Sequence, residues 1–307
     1  MFDLLVIGDA NPDVLVHGAP DVPPYGQAET LVGGGVLALG GSAAIAAHGA
    51  ARLGLATAFV GLVGRDAAGD FVLDALSSVG VDVSRCARHA TLPTALTVCL
   101  NRPGGDRAIL TAPGCLAHVG PEHLPDSADV AARHVHAASY FLQPRLAAAL
   151  PAVLRAHRAS GATTSLDTND DPAGQWKLAP GLAEECTFLL PNEAEALALS
   201  GEATLSEALT TLSKPGCVPV VKRGAQGAVA MREGTVVHVD APRADPVDTV
   251  GAGDSFDAGF LAGWLDGGDL TYALALGAAC GALSTRAAGG TAAQPTLTEA
   301  QALAQIP

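Results

Sequence analysis

The sequence predicts a three-layer α/β protein in which helices cover both faces of a mainly parallel sheet. Short β-rich runs alternate with alanine-rich helical stretches along most of the 307 residues, the pattern of repeated βαβ units. Two segments break that alternation with strand and turn character but no helix between them. A third observation is the glycine-rich turn Asp248-Thr249-Val250-Gly251-Ala252-Gly253-Asp254-Ser255-Phe256, which leads straight into an apolar helix late in the chain. Ligands of open α/β sheets bind at such turns.

In chain order, the apolar run Leu4–Gly8 predicts the first core strand. The stretch Val14–Leu39 follows as strands and turns, punctuated by Pro20, Pro23, Pro24 and Gly33-Gly34-Gly35. The small-residue run Ser42–Leu53 predicts a helix, Thr57–Val60 a strand and Gly69–Ser78 a second helix. Thr94–Thr111 is the second helix-free segment. Core strands are then expected at His134–Ala137, Thr164–Asp167, Phe188–Leu190 and Val218–Lys222. Helices are expected at Arg145–Ala159, Glu193–Leu199, Gly253–Leu265 and Tyr272–Arg286.

Composition narrows the function. Apolar residues make up 49% of the chain and the formal charge is −14, so a folded protein is expected and a polyanion such as nucleic acid is not a fitting partner. Any phosphate site must be local, built from amides, a metal and a few basic side chains. The six cysteines lack CxxC or CxxH spacing, which suggests neither a zinc site nor a disulfide framework and fits the reducing cytoplasm. Met1 runs into Phe2-Asp3-Leu4-Leu5 without a basic leader or an apolar run of membrane-spanning length, so neither export nor a membrane is expected. His134 and His136 share one face of a strand and read as packing residues. Neither a GxSxG elbow nor a GxxxxGK[ST] loop is present.

The glycine-rich turn has its own chemistry. Small residues at Gly251, Ala252 and Gly253 let backbone amides converge at a helix start, where the dipole attracts phosphate. Asp254 follows in the first turn, placed to accept a proton from a hydroxyl attacking a γ-phosphate. A simple helix cap is the competing reading. Beyond the first strand, Asn11 and Asp13 stand one residue apart on a bent segment and suit adjacent sugar hydroxyls, with an Asx turn as the alternative.

The motif DTVGAGDSF at 248–256 resembles the C-terminal signature of the ribokinase-like, or PfkB, sugar kinase family. Residues 40–64, with Arg65, Asp66, Ala67, Ala68 and Gly69, resemble its N-terminal motif of a diglycine, a small-residue helix and a GxxGxDxxG turn. The resemblance extends over nearly the whole chain. It implies a single ribokinase-like domain over residues 1–307, a three-layer α/β/α fold whose insertions at about 14–39 and 94–111 form a small β-sheet lid. That lid is often shared between two subunits, which implies a homodimer; an exposed sheet edge and apolar face give the physical reason.

The implied activity is ATP-dependent phosphorylation of a hydroxyl, primary by preference, of a small sugar or polyol, with Asp254 as base and the Gly251–Gly253 amides as anion hole. The alternatives are a nucleoside kinase of the same family and a non-catalytic sugar-binding regulatory protein. By resemblance, Asn11 and Asp13 form the sugar-holding NxD pair, and Gly40 and Gly41 bring backbone close to the sugar. Gln143, Asp167 and Asn169 fall near further substrate contacts. Two positions depart from the pattern: Ile45 stands where many relatives carry a sugar-contacting Asn, and Ser42 where a Lys often follows the diglycine. Arg107 lies in the second insertion, as a solvated lid residue or a contact for an anionic group. Asn192 and Glu195 match an NxxE motif in which the acid helps order Mg2+ and its waters. Lys222, Gly224 and Gly227 resemble a strand-end turn at the ATP phosphates, with Lys222 as a point charge near the phosphate tail; basic residues on a surface hairpin are the competing view. Asp248, the Val250 carbonyl and Gly290 match a potassium site of many relatives.

Overall fold

The computed structural model describes residues 1–102, 107–125, 129–267 and 269–305. Residues 103–106, within the second expected lid insertion, lie outside the described residues, as do 126–128, 268 and the last two. The apolar run at the N-terminus forms β1 (Phe2–Ile7), after which the chain leaves the core for β2 (Asn11–His17) and β3 (Gly34–Gly40). It returns through α1 (Ser42–Arg52), β4 (Thr57–Val60) and the two-residue β5 (Leu62–Val63). Then come α2 (Ala67–Ser78), β6 (Ala87–Arg88), and the pair β7 (Leu96–Asn101) and β8 (Arg107–Ala112). The second half runs β9 (Ala132–Ala137), α3 (Pro144–Ala159), β10 (Thr163–Leu166), β11 (Phe188–Leu189), α4 (Glu193–Ser200), α5 (Leu205–Ser213) and β12 (Val218–Lys222). A hairpin of β13 (Ala228–Arg232) and β14 (Thr235–Val239) precedes α6 (Ala252–Leu265), α7 (Leu270–Ser284) and α8 (Leu297–Ala304).

The central sheet has eight strands in the order β14-β13-β12-β11-β10-β9-β1-β4. From β4 to β12 all neighbours are parallel; the hairpin at the other edge is antiparallel. β1 lies between β4 and β9, so the connections diverge on either side of it, and a crevice opens at that switch point beyond the strand ends. Side-chain alternation divides the core. Leu4, Val6, Phe188 and Val220 face a layer containing α1, α6, α7 and α8, while Leu5, Ile7, Leu166 and Leu189 face α3. Val221, Val229 and Met231 pack beneath α4 and α5. Helix α6 is apolar on nearly every side and almost wholly buried, as a helix sandwiched between the sheet and α7 must be. Phe188 meets Phe260 of α6 edge-on at 5.0 Å, which fixes that helix against the sheet.

The two helix-free segments form a separate four-stranded sheet, β3-β2-β7-β8, the lid that the resemblance implied. β2 and β7 are parallel, and each carries an antiparallel partner. The lid begins earlier than expected: Asn11 and Asp13 belong to β2 and do not lie on a bent segment before it, because their backbones pair with Gly40 and Ala38 of β3. Two residues apart on a strand, they face the same side. Asp66 joins lid to core, accepting the Gly69 amide at the start of α2 and the amide and hydroxyl of Thr94 just ahead of β7.

Candidate active site

The lid and the C-terminal ends of β1, β10, β11 and β12 enclose one large cleft of about 1230 Å³. Its lid wall comes from Asn11, Asp13, Thr97, Cys99, Arg107, Ile109 and Thr111. The sheet alternation and register place these on one face, with Asp13 opposite Thr97 and Thr97 opposite Thr111. Asn11 Nδ2 donates to Asp13 Oδ1 (2.7 Å) and to Thr97 Oγ1 (3.1 Å). Burial, then the neighbouring Asp9, pushes the Asp13 carboxyl up to about 7.

Asp9 follows β1 and accepts the amides of Ser42 and Ala43 (3.1 and 3.0 Å). It thereby caps α1 where the N-cap residue, Gly41, has no side chain to do so. Burial outweighs those bonds and raises the Asp9 pKa. The diglycine serves the protein's own atoms first. A Cβ on Gly40 would lie 2.0 Å from Asp13 Oδ1, and one on Gly41, at φ +85°, would strike the Ala10 backbone at 2.8 Å. Gly41 lines the cleft and Gly40 does not, so the expectation that both admit the sugar is corrected for Gly40: it makes room for the Asp13 carboxylate. Ile45 lines the cleft as an apolar wall.

The floor is the start of α6. Gly251 takes φ +72°, a left-handed N-cap without side-chain cap, and the helix begins at Ala252. The Ala252 amide reaches back to Thr249 O at 3.3 Å, so the amides of Gly251, Gly253 and Asp254 are the better-placed donors for an anion. Asp254, 8% exposed, lines the cleft. Burial first, then Asp167 and Asp9, raise its carboxyl to about 8 against the lowering by Lys222 and by a Ser42 hydrogen bond. Asn169, in a left-handed turn at φ 55°, accepts the Ser139 amide (2.7 Å) and donates to Ser42 Oγ (2.8 Å), which ties the end of β10 to the start of α1.

On the far side of the cleft, Asn192 and Glu195 form a reciprocal capping box at the start of α4, each bonding the other's amide at 2.9 Å. Burial, then the nearby Asp167, pushes the Glu195 carboxyl up to about 7. Gly224 and Gly227 line the same side, as do Ala241–Pro246, where a Cβ on Gly227 would lie 2.7 Å from the Ala241 nitrogen.

Gln143 and Lys222 are placed otherwise than expected. Gln143 is fully buried outside the cleft; its Nε2 donates to the carbonyls of Ala138 and Ser139 and holds the turn after β9. Lys222 reaches the cleft, but its Nζ is engaged by Asp167 (2.7 Å) and Asp257 (3.1 Å), because a buried ammonium without carboxylate partners would be an uncompensated charge. Asp248 and Gly290 lie behind the cleft wall. Asp248 accepts the amides of Val250 and Gly289, and Gly290 packs on Gly251. Arg107 turns back from the lid toward Thr249 Oγ1 (3.4 Å) and Asp248 (3.8 Å).

Sequence reasoning gave no role to Asp9, Thr97 or Asp257. Asp257 had a signal, an acid three residues after Asp254 in an apolar helix. Thr97 had none, since only strand register brings it to Asn11.

Proteins of known structure share this fold. The chain is 32% identical over 296 residues to an ATP-dependent ribose-1-phosphate kinase from Halopiger xanaduensis, with 95% of each covered. It is 29% identical to the aminoimidazole riboside kinase of Salmonella typhimurium, covering 83% of this chain and 84% of that one. Its fold matches Arabidopsis thaliana ribokinase complexed with ribose and ATP at a TM-score of 0.86, with 24% identity, 100% of this chain and 99% of that one covered. The profile of the pfkB family carbohydrate kinase matches residues 1–297. The chain therefore belongs to the pfkB family and is an ATP-dependent carbohydrate kinase.

Proposed function

We propose that this kinase transfers the γ-phosphoryl group of ATP to a hydroxyl, primary by preference, of a small sugar or polyol. The observation that carries the reading is Asp254. It is a buried carboxylate at a helix start, in the cleft that Asn11, Asp13, Gly224 and Gly227 also line. Asp254 takes the proton of the acceptor hydroxyl as its oxygen bonds to the γ-phosphorus; the bond from that phosphorus to the β,γ-bridging oxygen breaks and ADP leaves. The amides of Gly251 and Gly253, with Ala252 between them, hold the charge on the transferred group.

Glu195 fits an indirect magnesium role, because it lines the cleft and only one of its oxygens is used by the Asn192 amide. Magnesium there would neutralise charge on the phosphate oxygens. Asp248, the Val250 carbonyl and Gly290 are the residues that would hold potassium, and the Asp248 carboxylate keeps acceptor capacity beyond its two amides. Asp167 and Asn169 border acceptor and phosphates.

Homodimerisation through the lid is supported by the face turned away from the cleft. Leu37, Val14, Val98 and Leu110 form a continuous apolar row across all four strands, and Leu37 and Leu110 are 55% and 59% exposed. A reducing, cytoplasmic setting is supported by six free cysteines; no described helix is long and apolar enough to cross a membrane.

An ADP-release assay with ATP and magnesium across pentoses, hexoses, sugar acids, polyols and nucleosides tests the reading. One preferred sugar or polyol is expected. A preference for nucleosides would establish the other kinase reading, which the apolar Ile45 wall favours; silence across the panel would overturn both.

A further inference from the structure

Behind Asp254 lies a group of charged side chains whose contacts with one another the phosphoryl-transfer reading does not use. Lys222 leaves the end of β12 almost buried, and its Nζ donates to Asp167 Oδ2 at 2.7 Å and to both oxygens of Asp257 at 3.1 and 3.2 Å. Asp257 stands three residues after Asp254, so both project from one side of α6. Ligand oxygens of Asp167, Asp254 and Asp257 all lie within 4.8 Å of one another. Three acids so close in a dry site cannot all ionise unaided.

The protons are divided unequally. Asp167 and Asp257 meet on the same ammonium with their oxygens within 4.8 Å, so a proton on one of the two is favoured. Burial, assisted by Asp167, holds the Asp257 carboxyl well above the usual range. Burial alone would raise Asp167 too, but the Lys222 charge and the hydrogen bonds from Asp257 and Lys222 hold it low. A positive lysine, a negative Asp167 and a neutral Asp257 leave the space beside Asp254 close to neutral. Lys222 Nζ also lies 3.5 Å from where a Cβ on Gly253 would sit, beside the anion hole.

Resting on the assignment of Asp254 as base, we propose that Lys222 is a positioning residue for phosphoryl transfer: it locks the Asp167–Asp257 pair in one arrangement and supplies the fixed positive charge that lets Asp254 release its proton inside the cleft. The other groups around the site are mostly acidic. They are Asp9 after β1, Asp13 on β2, Asp170 beyond β10 and Glu195 on α4. His136 of β9 faces Asp167, while Arg107 of β8 and Asp248 stand on the Asp13 side. Lys222 is the cation in contact with the cluster.

The test is the pH dependence of kcat at saturating ATP, magnesium and acceptor for the natural protein, Lys222→Met and Lys222→Arg, with ATP affinity measured alongside. Lys222→Met is expected to move the acidic limb to higher pH by roughly one unit or more and to lower kcat at pH 7 at least about tenfold, with ATP affinity little changed. Lys222→Arg, which keeps the charge, is expected to return the limb toward its natural position. If Lys222→Met does not fold, the double variant Lys222→Met with Asp257→Asn removes an acid together with the cation, and the same upward shift is expected. An unmoved limb in the folded variant, whatever its kcat, overturns the proposal and leaves the kinase reading intact. A large loss of ATP affinity with the limb unmoved would also overturn it, because Lys222 would then act on the phosphates. No ADP release by the natural protein would overturn the underlying reading before any variant is made.

Discussion

Asp254 owes its chemistry to neighbours in four separate parts of the chain. Asp9, Ser42, Asp167 and Lys222 all act, together with burial, on one carboxyl whose pKa stands raised to about 8. In the free enzyme the base form therefore gains population as pH rises toward 8, and kcat/KM is expected to climb over that interval. Asp254→Asn should reduce turnover by about 10²–10⁴-fold while ATP affinity stays near its natural value, measured by steady-state kinetics and calorimetry. Gly40 invites a second substitution. In Gly40→Ala the new methyl must displace the Asp13 carboxylate, so the acceptor KM is expected to rise about tenfold or more with the ATP KM unchanged. Equal changes in both would show that the damage spreads beyond the acceptor side.

Among the elements, the lid joins two properties. Its inner face carries Asn11, Asp13 and Thr97, and its outer face the row Leu37, Val14, Val98 and Leu110. Strand alternation makes the two inseparable, since every residue that aims a polar group at the cleft has apolar neighbours aimed away. Leu37→Glu combined with Leu110→Glu is expected to convert a dimer to a monomer in light scattering and to weaken acceptor binding. A natural protein that is already monomeric would refute the lid interface. Helix α4 offers a local test. Asn192→Ala removes one half of its capping box and should lower stability by about 1 kcal/mol in denaturant unfolding.

For the molecule as a whole, buried titratable groups set the pH of greatest stability. Asp9, Asp13, Glu195, Asp254 and Asp257 have folded pKa values above their unfolded ones. Their contribution is complete below about pH 4 and is lost as pH rises through the folded values, about 7 for Asp13 and Glu195 and about 8 for Asp254. His48, His134, His136 and His157 are shifted down, chiefly by burial, and their contribution is lost as pH falls below about 6.5. Between about pH 6.5 and 8 the acids act alone. The melting temperature of the ligand-free protein is therefore expected to fall by at least about 2 °C over that window, by scanning calorimetry. A flat or rising profile would show that the acids are less desolvated than the packing implies.

The sequence by itself determined the three-layer α/β class, the parallel strands from β1 to β12, the lid segments, and the two motifs around Gly40-Gly41 and Asp254. These are local signals: apolar runs of strand length, small-residue helices, and glycines where backbone turns or approaches closely. It left out α5, α8 and the β13–β14 hairpin, whose short amphipathic or alternating patterns are weak beside the core elements. Tertiary structure alone decided that Lys222 answers Asp167 and Asp257, that Gln143 props a turn, that Asp9 caps α1, and that Thr97 meets Asn11. The contacts of Lys222, Asp9 and Thr97 join residues at least 33 positions apart, where register and packing set the distance and spacing along the chain carries no record of it; Gln143 bonds carbonyls of its own turn, which nothing in its residue type announces.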